Sequence, residues 1–196
     1  MLSLLSTIVT SAVVATVVGA LINAWVEGRK LHRSTRLEAL RAAIILEGYA
    51  IVCAERITEH ENAVSSGGHM GALLGHIPDL PDLPVVTGFL KPQKASVADR
   101  LLVFAQEVQQ ADQMARFWWE VEGDEGATQN EATFQAARVG SRALKLAAEV
   151  RAAFKLPSRA LVFDDFDVCK YLEERVHAKA ERDAARAAST FDEREI

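Results

Sequence analysis

The residues best suited to bind a divalent metal ion fall in one stretch of the chain. They are His60, His69, His76 and Asp79. Imidazole and carboxylate groups are ordinary zinc ligands, but their spacing matches no closed ligand motif. The glycines around His69 disfavour a preformed site, so loop solvation is the preferred interpretation. We predict no metal and no cofactor, and a metal-dependent or cryptic enzyme using the His60–Asp82 region stays as an alternative function.

Other chemistry-bearing patterns are weaker. Glu174 and His177 form the Glu-x-x-His element of di-iron carboxylate bundles, yet such a site needs two of these elements. Exposed charge on a helix is the preferred interpretation. The pair Trp118-Trp119 could line a ligand site, although the more ordinary interpretation has one ring in the core and the other at the rim of the bundle. The chain has no nucleophile elbow, P-loop, Rossmann glycine pattern or H-E-x-x-H. No catalytic residue is assigned, and the chain is not expected to be an enzyme.

The composition is that of an ordinary globular protein of one domain plus an appendage. The 196 residues are 49% hydrophobic and 25% charged, which favours neither disorder nor a many-pass membrane protein. A net charge of -5 argues against nucleic acid as a partner, because phosphate binding needs a basic surface. Cys53 and Cys169 lie far apart among apolar neighbours and are expected to be reduced core thiols.

The first 26 residues carry no charge. A helix of that length could cross a bilayer, so a single-pass transmembrane anchor is predicted over residues 1–26. Basic residues follow immediately, and the first four are Arg29, Lys30, Arg33 and Arg36. The positive-inside rule then places the N-terminus outside and the remaining chain in the cytoplasm, at a bacterial inner membrane. The basic residues could also contact anionic lipid.

Small and bulky residue pairs alternate every four positions within this segment. Ser11, Ala15, Gly19 and Asn23 would form one stripe on a helix, with Asn23 able to hydrogen-bond across a helix contact. Such stripes allow close helix association in membranes. The expected partners are therefore the lipid bilayer and a second copy or another membrane helix, and no small-molecule ligand is identified.

Helical periodicity organises the rest of the chain. The first bundle helix is expected to bury a face that combines the following residues: Leu37, Leu40, Ile44, Gly48, Ile51 and Val52. Three further helices are predicted, beginning near Ser96, Thr128 and Asp164-Asp165. The predicted divisions are 1–26 anchor, 27–63 basic flank and first bundle helix, 64–95 Gly/Pro-rich strap, 96–180 bundle remainder and 181–196 charged, frayed tail.

The strap contains a three-residue repeat of an apolar residue, proline and a third residue. The period matches a polyproline II helix, with Ile77, Leu80 and Leu83 on one ridge. One interpretation is a docking strip for an aromatic-lined groove, formed by Pro78, Leu80, Pro81, Leu83 and Pro84. The preferred interpretation is a strap that closes the bundle's own core, because an apolar ridge favours burial.

These patterns predict an all-α fold: an N-terminal single-pass transmembrane helix continuing into an antiparallel bundle of about four helical segments, with a long Pro-containing strap loop. The expected function is a membrane-anchored, non-enzymatic interaction or scaffold module, self-associating or binding a partner through the membrane helix. A pore-forming or lysis-type membrane protein is a second alternative.

Overall fold

A computed structural model describes the backbone of residues 2–84, 94–122 and 125–192 and the side chains of residues 20, 22–84, 94–117 and 129–182. Four helices and one short hairpin form the fold. They are α1 (Leu2–Ser65), α2 (Ala95–Glu122), α3 (Glu125–Ala153), β1 (Val162–Phe163), β2 (Phe166–Asp167) and α4 (Val168–Asp192). The predicted all-α bundle is therefore confirmed, and the hairpin is an addition that the sequence did not predict.

The first helix is much longer than the bundle that it joins. Its 64 residues extend about 95 Å at 1.5 Å per residue. Every side chain from residue 22 to residue 34 is exposed, and the first buried one is Thr35. The helix ends in a Schellman motif, in which the Gly68 amide donates to the Ala63 carbonyl at 2.8 Å. Gly67 has a φ of 62°, the left-handed conformation that this ending needs.

The membrane prediction is contradicted. Among the described residues, no helix has an apolar stretch long enough to cross a bilayer. From Glu27 to the end of α1, charged residues recur every few positions, so this part of the helix has no stretch approaching the roughly 20 apolar residues that a span needs. This finding overturns the predicted single-pass transmembrane anchor over residues 1–26, and with it the inner-membrane location and the outside N-terminus.

Helix α3 lies at the centre of the bundle and packs against α1, α2 and α4. Its interface with α1 is built largely from alanine, so the two backbones approach closely. A Cβ atom added at Gly140 would lie 3.0 Å from the Cβ of Cys53 and 3.0 Å from a methyl group of Leu172. Gly140 is therefore a point of close approach between α1, α3 and α4, and a larger side chain there would displace Cys53 or Leu172.

The prediction of which face of α1 is buried is wrong. The buried face comprises Ala39, Ala43, Leu46, Ala50, Cys53 and Ile57, whereas Leu37, Ile44 and Val52 are exposed. Leu40, Gly48 and Ile51 lie between the two faces and are half-buried. The physical reason is close packing: the alanines and Cys53 of this face let α1 approach alanine-rich α3, and Leu46 and Ile57 are its larger buried side chains. Leu37, Ile44 and Val52 lie on another side of the helix and point outward.

Helix α2, predicted to begin near Ser96, packs on α3 through an apolar face at helical spacing. Val97, Leu101, Phe104, Val108, Ala111 and Ala115 are all buried. Phe104 also contacts α1, where its ring meets the Tyr49 ring edge-on with centroids 6.0 Å apart. Aromatic pairs prefer this edge-to-face arrangement. The contact joins α1 and α2 over the side of α3.

The described part of the strap before residue 85 lies on its own bundle, beside α1 and α2. The Leu74 amide donates to Nδ1 of buried His60 at 3.2 Å, and the Ile77 amide donates to Asp112 of α2 at 3.1 Å. Gly71 has a φ of 79°, and a Cβ there would lie 2.1 Å from the Glu59 carbonyl oxygen. Only glycine fits where the strap passes so close to the end of α1.

The hairpin and the start of α4 differ from the expectation. Asp164 and Asp165 form the turn between β1 and β2, where Phe163 pairs with Phe166. Asp164 has a φ of 50°, a conformation that aspartate tolerates better than most residues. The N-cap of α4 is instead Asp167, whose carboxylate accepts from the Lys170 amide at 3.1 Å. Helix α4 continues to Asp192, beyond the predicted start of the tail.

The hydrogen bond from Leu74 to His60 predicts a pH dependence of the strap. The acceptor Nδ1 must be unprotonated, and burial lowers the pKa of His60 while Glu61 opposes the shift. Because the unfolded histidine titrates near 6.5, this contribution to the free energy of unfolding is full above about pH 6.5 and is lost as the pH falls further. Melting temperatures measured between pH 7.5 and 5.5, roughly spanning that pKa, should therefore fall with pH.

The matched variant is His60→Gln, whose amide oxygen can accept the same hydrogen bond without titrating. Its melting temperature should change less over this range than that of the wild type. The control is His69→Gln, because His69 is exposed and should retain the wild-type slope. Equal slopes for His60→Gln and the wild type would contradict the role of His60.

Candidate functional site

The structure separates the predicted metal ligands. His60 is buried against the strap, and His69, His76 and Asp79 are exposed. Among the described side chains, no group of three His, Cys, Asp or Glu residues is arranged to hold a metal ion. Of the Glu-x-x-His element, His177 is exposed, and Glu174 forms an exposed ion pair with Lys170 at 3.9 Å. The cryptic-enzyme alternative gains no assembled site from these residues.

The other predicted sites are distributed as follows. The side chains of Ser11, Ala15, Gly19, Trp118 and Trp119 lie outside the described residues, and Asn23 is exposed. The basic residues Arg29, Lys30, Arg33 and Arg36 are all exposed. Arg29 lies over the Trp25 ring at 4.3 Å, and Arg36 donates to the Lys155 carbonyl at 2.9 Å. Arg36 therefore joins α1 to the end of α3.

The proposed docking strip lies against the bundle. Ile77 and Pro78 are buried, and Leu80, Leu83 and Pro84 are half-buried, while Pro81 is exposed. Leu80 and Leu83 pack against the hydrophobic core. A groove of about 540 Å³ separates this stretch from Leu101, Leu102 and Val108 of α2. The arrangement favours the strap interpretation, because the apolar ridge already has a partner within the chain.

A buried ion pair joins α1 to α3. Glu47 accepts from Nε of Arg151 at 2.6 Å and from Nη2 at 3.0 Å, the bidentate geometry that strengthens carboxylate recognition. The two side chains are 5% and 9% exposed. Arg151 also donates from Nη1 to the Pro157 carbonyl at 2.9 Å. The hydrogen bonds to Glu47 outweigh burial and raise the pKa of Arg151, so the guanidinium stays charged.

A cavity of about 430 Å³ adjoins this ion pair. One wall is the outer side of α3, and the other is the segment that runs from Leu156 to Val162. Arg159 lies at its rim, 52% exposed, with Nη1 3.6 Å from Oε2 of Glu47. That separation exceeds a normal hydrogen bond. The site therefore combines apolar walls, a satisfied ion pair at its base and one further guanidinium.

The outward face of α1 is the second candidate site. We define it by Leu37, Arg41, Ile44, Gly48, Val52 and Glu55, which recur at spacings of three and four and so share one side of the helix. Its large apolar members are about half exposed, at 52% for Leu37, 46% for Ile44 and 41% for Val52. A Cβ at Gly48 would meet nothing within 4 Å. Another helix could approach closely at this point.

No family model, curated protein or solved structure matches this chain. The function must therefore be argued from these two sites.

Sequence reasoning missed both sites for identifiable reasons. Glu47 and Arg151 are 104 positions apart, and neither belongs to a motif. A usable signal was present, because Arg151 continues an apolar side of α3 that includes Leu144 and Ala148. An arginine at such a position needs a buried acidic partner. The apolar residues of the outward face were recognised in the sequence, but they were expected to be buried within the bundle.

The ion pair predicts a non-additive response to substitution. Arg151→Met leaves a buried carboxylate with only the more distant Arg159, and should lower the free energy of unfolding by about 3–5 kcal/mol. The double variant Glu47→Leu/Arg151→Met removes both charges and should be more stable than Arg151→Met alone. Urea denaturation of the two single variants, Arg151→Met and Glu47→Leu, of the double variant and of the wild type measures the differences. A double variant destabilised by the sum of the two single changes would contradict the assignment.

Proposed function

We propose that this chain is a non-enzymatic interaction module that self-associates through the outward face of α1. The observation that carries the proposal is an apolar face on a bundle helix that no described element covers. Single exposed apolar residues are common, but a continuous line of them at helical spacing is typical of an interaction surface. A partner helix would cover it by the helix-in-groove mode of recognition.

The identity of the partner follows from the symmetry of the sequence about Gly48. Ile44 and Val52 lie four residues before and after it, and Arg41 and Glu55 lie seven before and after. Two copies that cross antiparallel at Gly48 would bring the residue a given number of positions before Gly48 opposite the residue the same number after it on the other copy. Ile44 then faces the other copy's Val52, and Arg41 faces its Glu55. The surface is self-complementary, as a two-fold contact requires.

The charges at the ends of this face support the pairing. Arg41 and Glu55 are exposed, and neither takes part in any of the ion pairs found among the described residues. Gly48 supplies the close approach between the helices, because its missing side chain leaves open space on the surface. Opposite charges outside an apolar centre fix the register and orientation of helix pairs.

A charge-exchange experiment tests the proposal with purified full-length chain. Arg41→Glu and Glu55→Arg should each be monomeric in sedimentation velocity at concentrations where the wild type is dimeric. A two-fold dimer contains two contacts between positions 41 and 55, and each variant has like charges at both. Mixing the two variants restores both opposite-charge pairs and should restore the dimer. The double variant Arg41→Glu/Glu55→Arg should also dimerise. The control Lys170→Glu changes an exposed charge on α4 and should leave the dimer intact.

Rescue in the mixture is specific for direct pairing of the two positions. Antiparallel self-association would be overturned if the wild type were monomeric. It would also be overturned if the equimolar mixture were as monomeric as its components. Single variants that remain dimeric would overturn the pairing of Arg41 with Glu55.

Substitution at Gly48 separates folding from association. Gly48→Leu should raise the monomer's free energy of unfolding by roughly 0.5–1 kcal/mol, because glycine disfavours a helix interior and the position is open. The same change should weaken the dimer by holding the two backbones apart. Thermal melts at low concentration and sedimentation at high concentration measure the two effects. A Gly48→Leu dimer as tight as the wild type would contradict close contact at Gly48.

A further inference from the structure

The cavity beside the ion pair has the composition of a binding site for a small amphipathic molecule. Its apolar lining includes Leu144, Ala148, Ala152, Leu156 and Leu161, and its volume is about 430 Å³. Ligand sites are typically cavities of roughly 300–1,000 Å³ with apolar walls and a few placed polar groups. The walls favour a hydrocarbon chain, since filling them displaces water from apolar surface.

The charged groups at the cavity specify the other end of the ligand. Both oxygens of Glu47 already accept from Arg151, so this pair is neutral and its strongest hydrogen bonds are made. Arg159 adds one positive charge at the rim, 3.6 Å from Glu47, and makes no hydrogen bond within the described residues. Its guanidinium has donors available in the fork geometry that matches a carboxylate.

Two further charged side chains line the cavity. Lys145 pairs with Glu173 at 3.4 Å, and Asp167 caps the first turn of α4 through its contact with the Lys170 amide. Each is therefore engaged within the chain. Asp167 keeps its negative charge, so with Glu173 counted the lining has no excess positive charge, and the single guanidinium of Arg159 is the group placed to bind an anion. One guanidinium suits one carboxylate better than a dianion.

We infer that this cavity binds an apolar molecule carrying one carboxylate, with the chain against α3 and the carboxylate on Arg159. Binding needs only a small rotation of Arg159 away from Glu47, whose charge remains balanced by Arg151. The inference does not depend on self-association, because none of the cavity residues belongs to the outward face of α1.

Isothermal titration calorimetry with decanoate tests the inference, and decanol is the uncharged comparison. The wild-type chain should bind decanoate on the order of tenfold more tightly than decanol, as expected for a lost charge-assisted hydrogen bond. Arg159→Met retains an apolar stem and should lose a similar factor for decanoate with little change for decanol. The matched control is Arg142→Met, which removes a half-exposed arginine paired with Glu107 at 3.4 Å. It should bind decanoate like the wild type.

A cavity-filling variant locates the site. Ala148 is on the exposed side of α3 and lines the cavity, so Ala148→Leu adds volume within a helix that accepts leucine readily. It should abolish decanoate binding and leave the melting temperature near that of the wild type. No binding of decanoate by the wild type would overturn the inference. So would equal affinities for decanoate and decanol, or decanoate binding unaffected by Arg159→Met or Ala148→Leu.

Discussion

The close contact between α1 and α3 is the constraint on which the rest of the structure depends. Alanines on both helices form it, and α1 contributes Ala39, Ala43 and Ala50. At Gly140 the approach leaves no space for a Cβ beside Cys53 and Leu172. Close packing of this kind provides many weak dispersion contacts, and at its closest points it needs small residues. It therefore favours the alanine-rich side of α1 for burial and leaves Leu37, Ile44 and Val52 exposed.

Small side chains of similar shape do little to fix the position of α1 along α3. The ion pair between Glu47 and Arg151 supplies a directional contact that does. Each donor and acceptor there is matched at 2.6–3.0 Å, so a shift of one helix along the other would leave a buried charge unpaired. The cost of such a charge is several kcal/mol. Because Arg151 also holds the Pro157 carbonyl, the same pair positions the segment that forms one wall of the cavity.

The helices and their ends could largely be predicted from the sequence, because caps and periodicity are local signals. The glycine stop of α1 and the buried face of α2 follow from such signals. The face of α1 could not be predicted in this way, because periodicity weighs Leu37 and Ile44 above the alanines that α3 accepts. The candidate sites depend on contacts such as Glu47 with Arg151, 104 residues apart. The predicted membrane span is contradicted, because no described helix has an apolar stretch long enough to cross a bilayer.

The orientation of α1 is tested most directly by thiol labelling of single cysteines in a Cys53→Ala/Cys169→Ser background. Both native cysteines are free thiols, and only Cys169 is exposed. Burial raises the pKa of Cys53 to about 12, and a buried thiol that stays protonated is expected to react slowly. A cysteine at Ile44 should react rapidly at low protein concentration and more slowly as the chain self-associates, whereas one at Ala43 should remain protected throughout. A reactive Ala43→Cys with a protected Ile44→Cys at every concentration would contradict this orientation of α1.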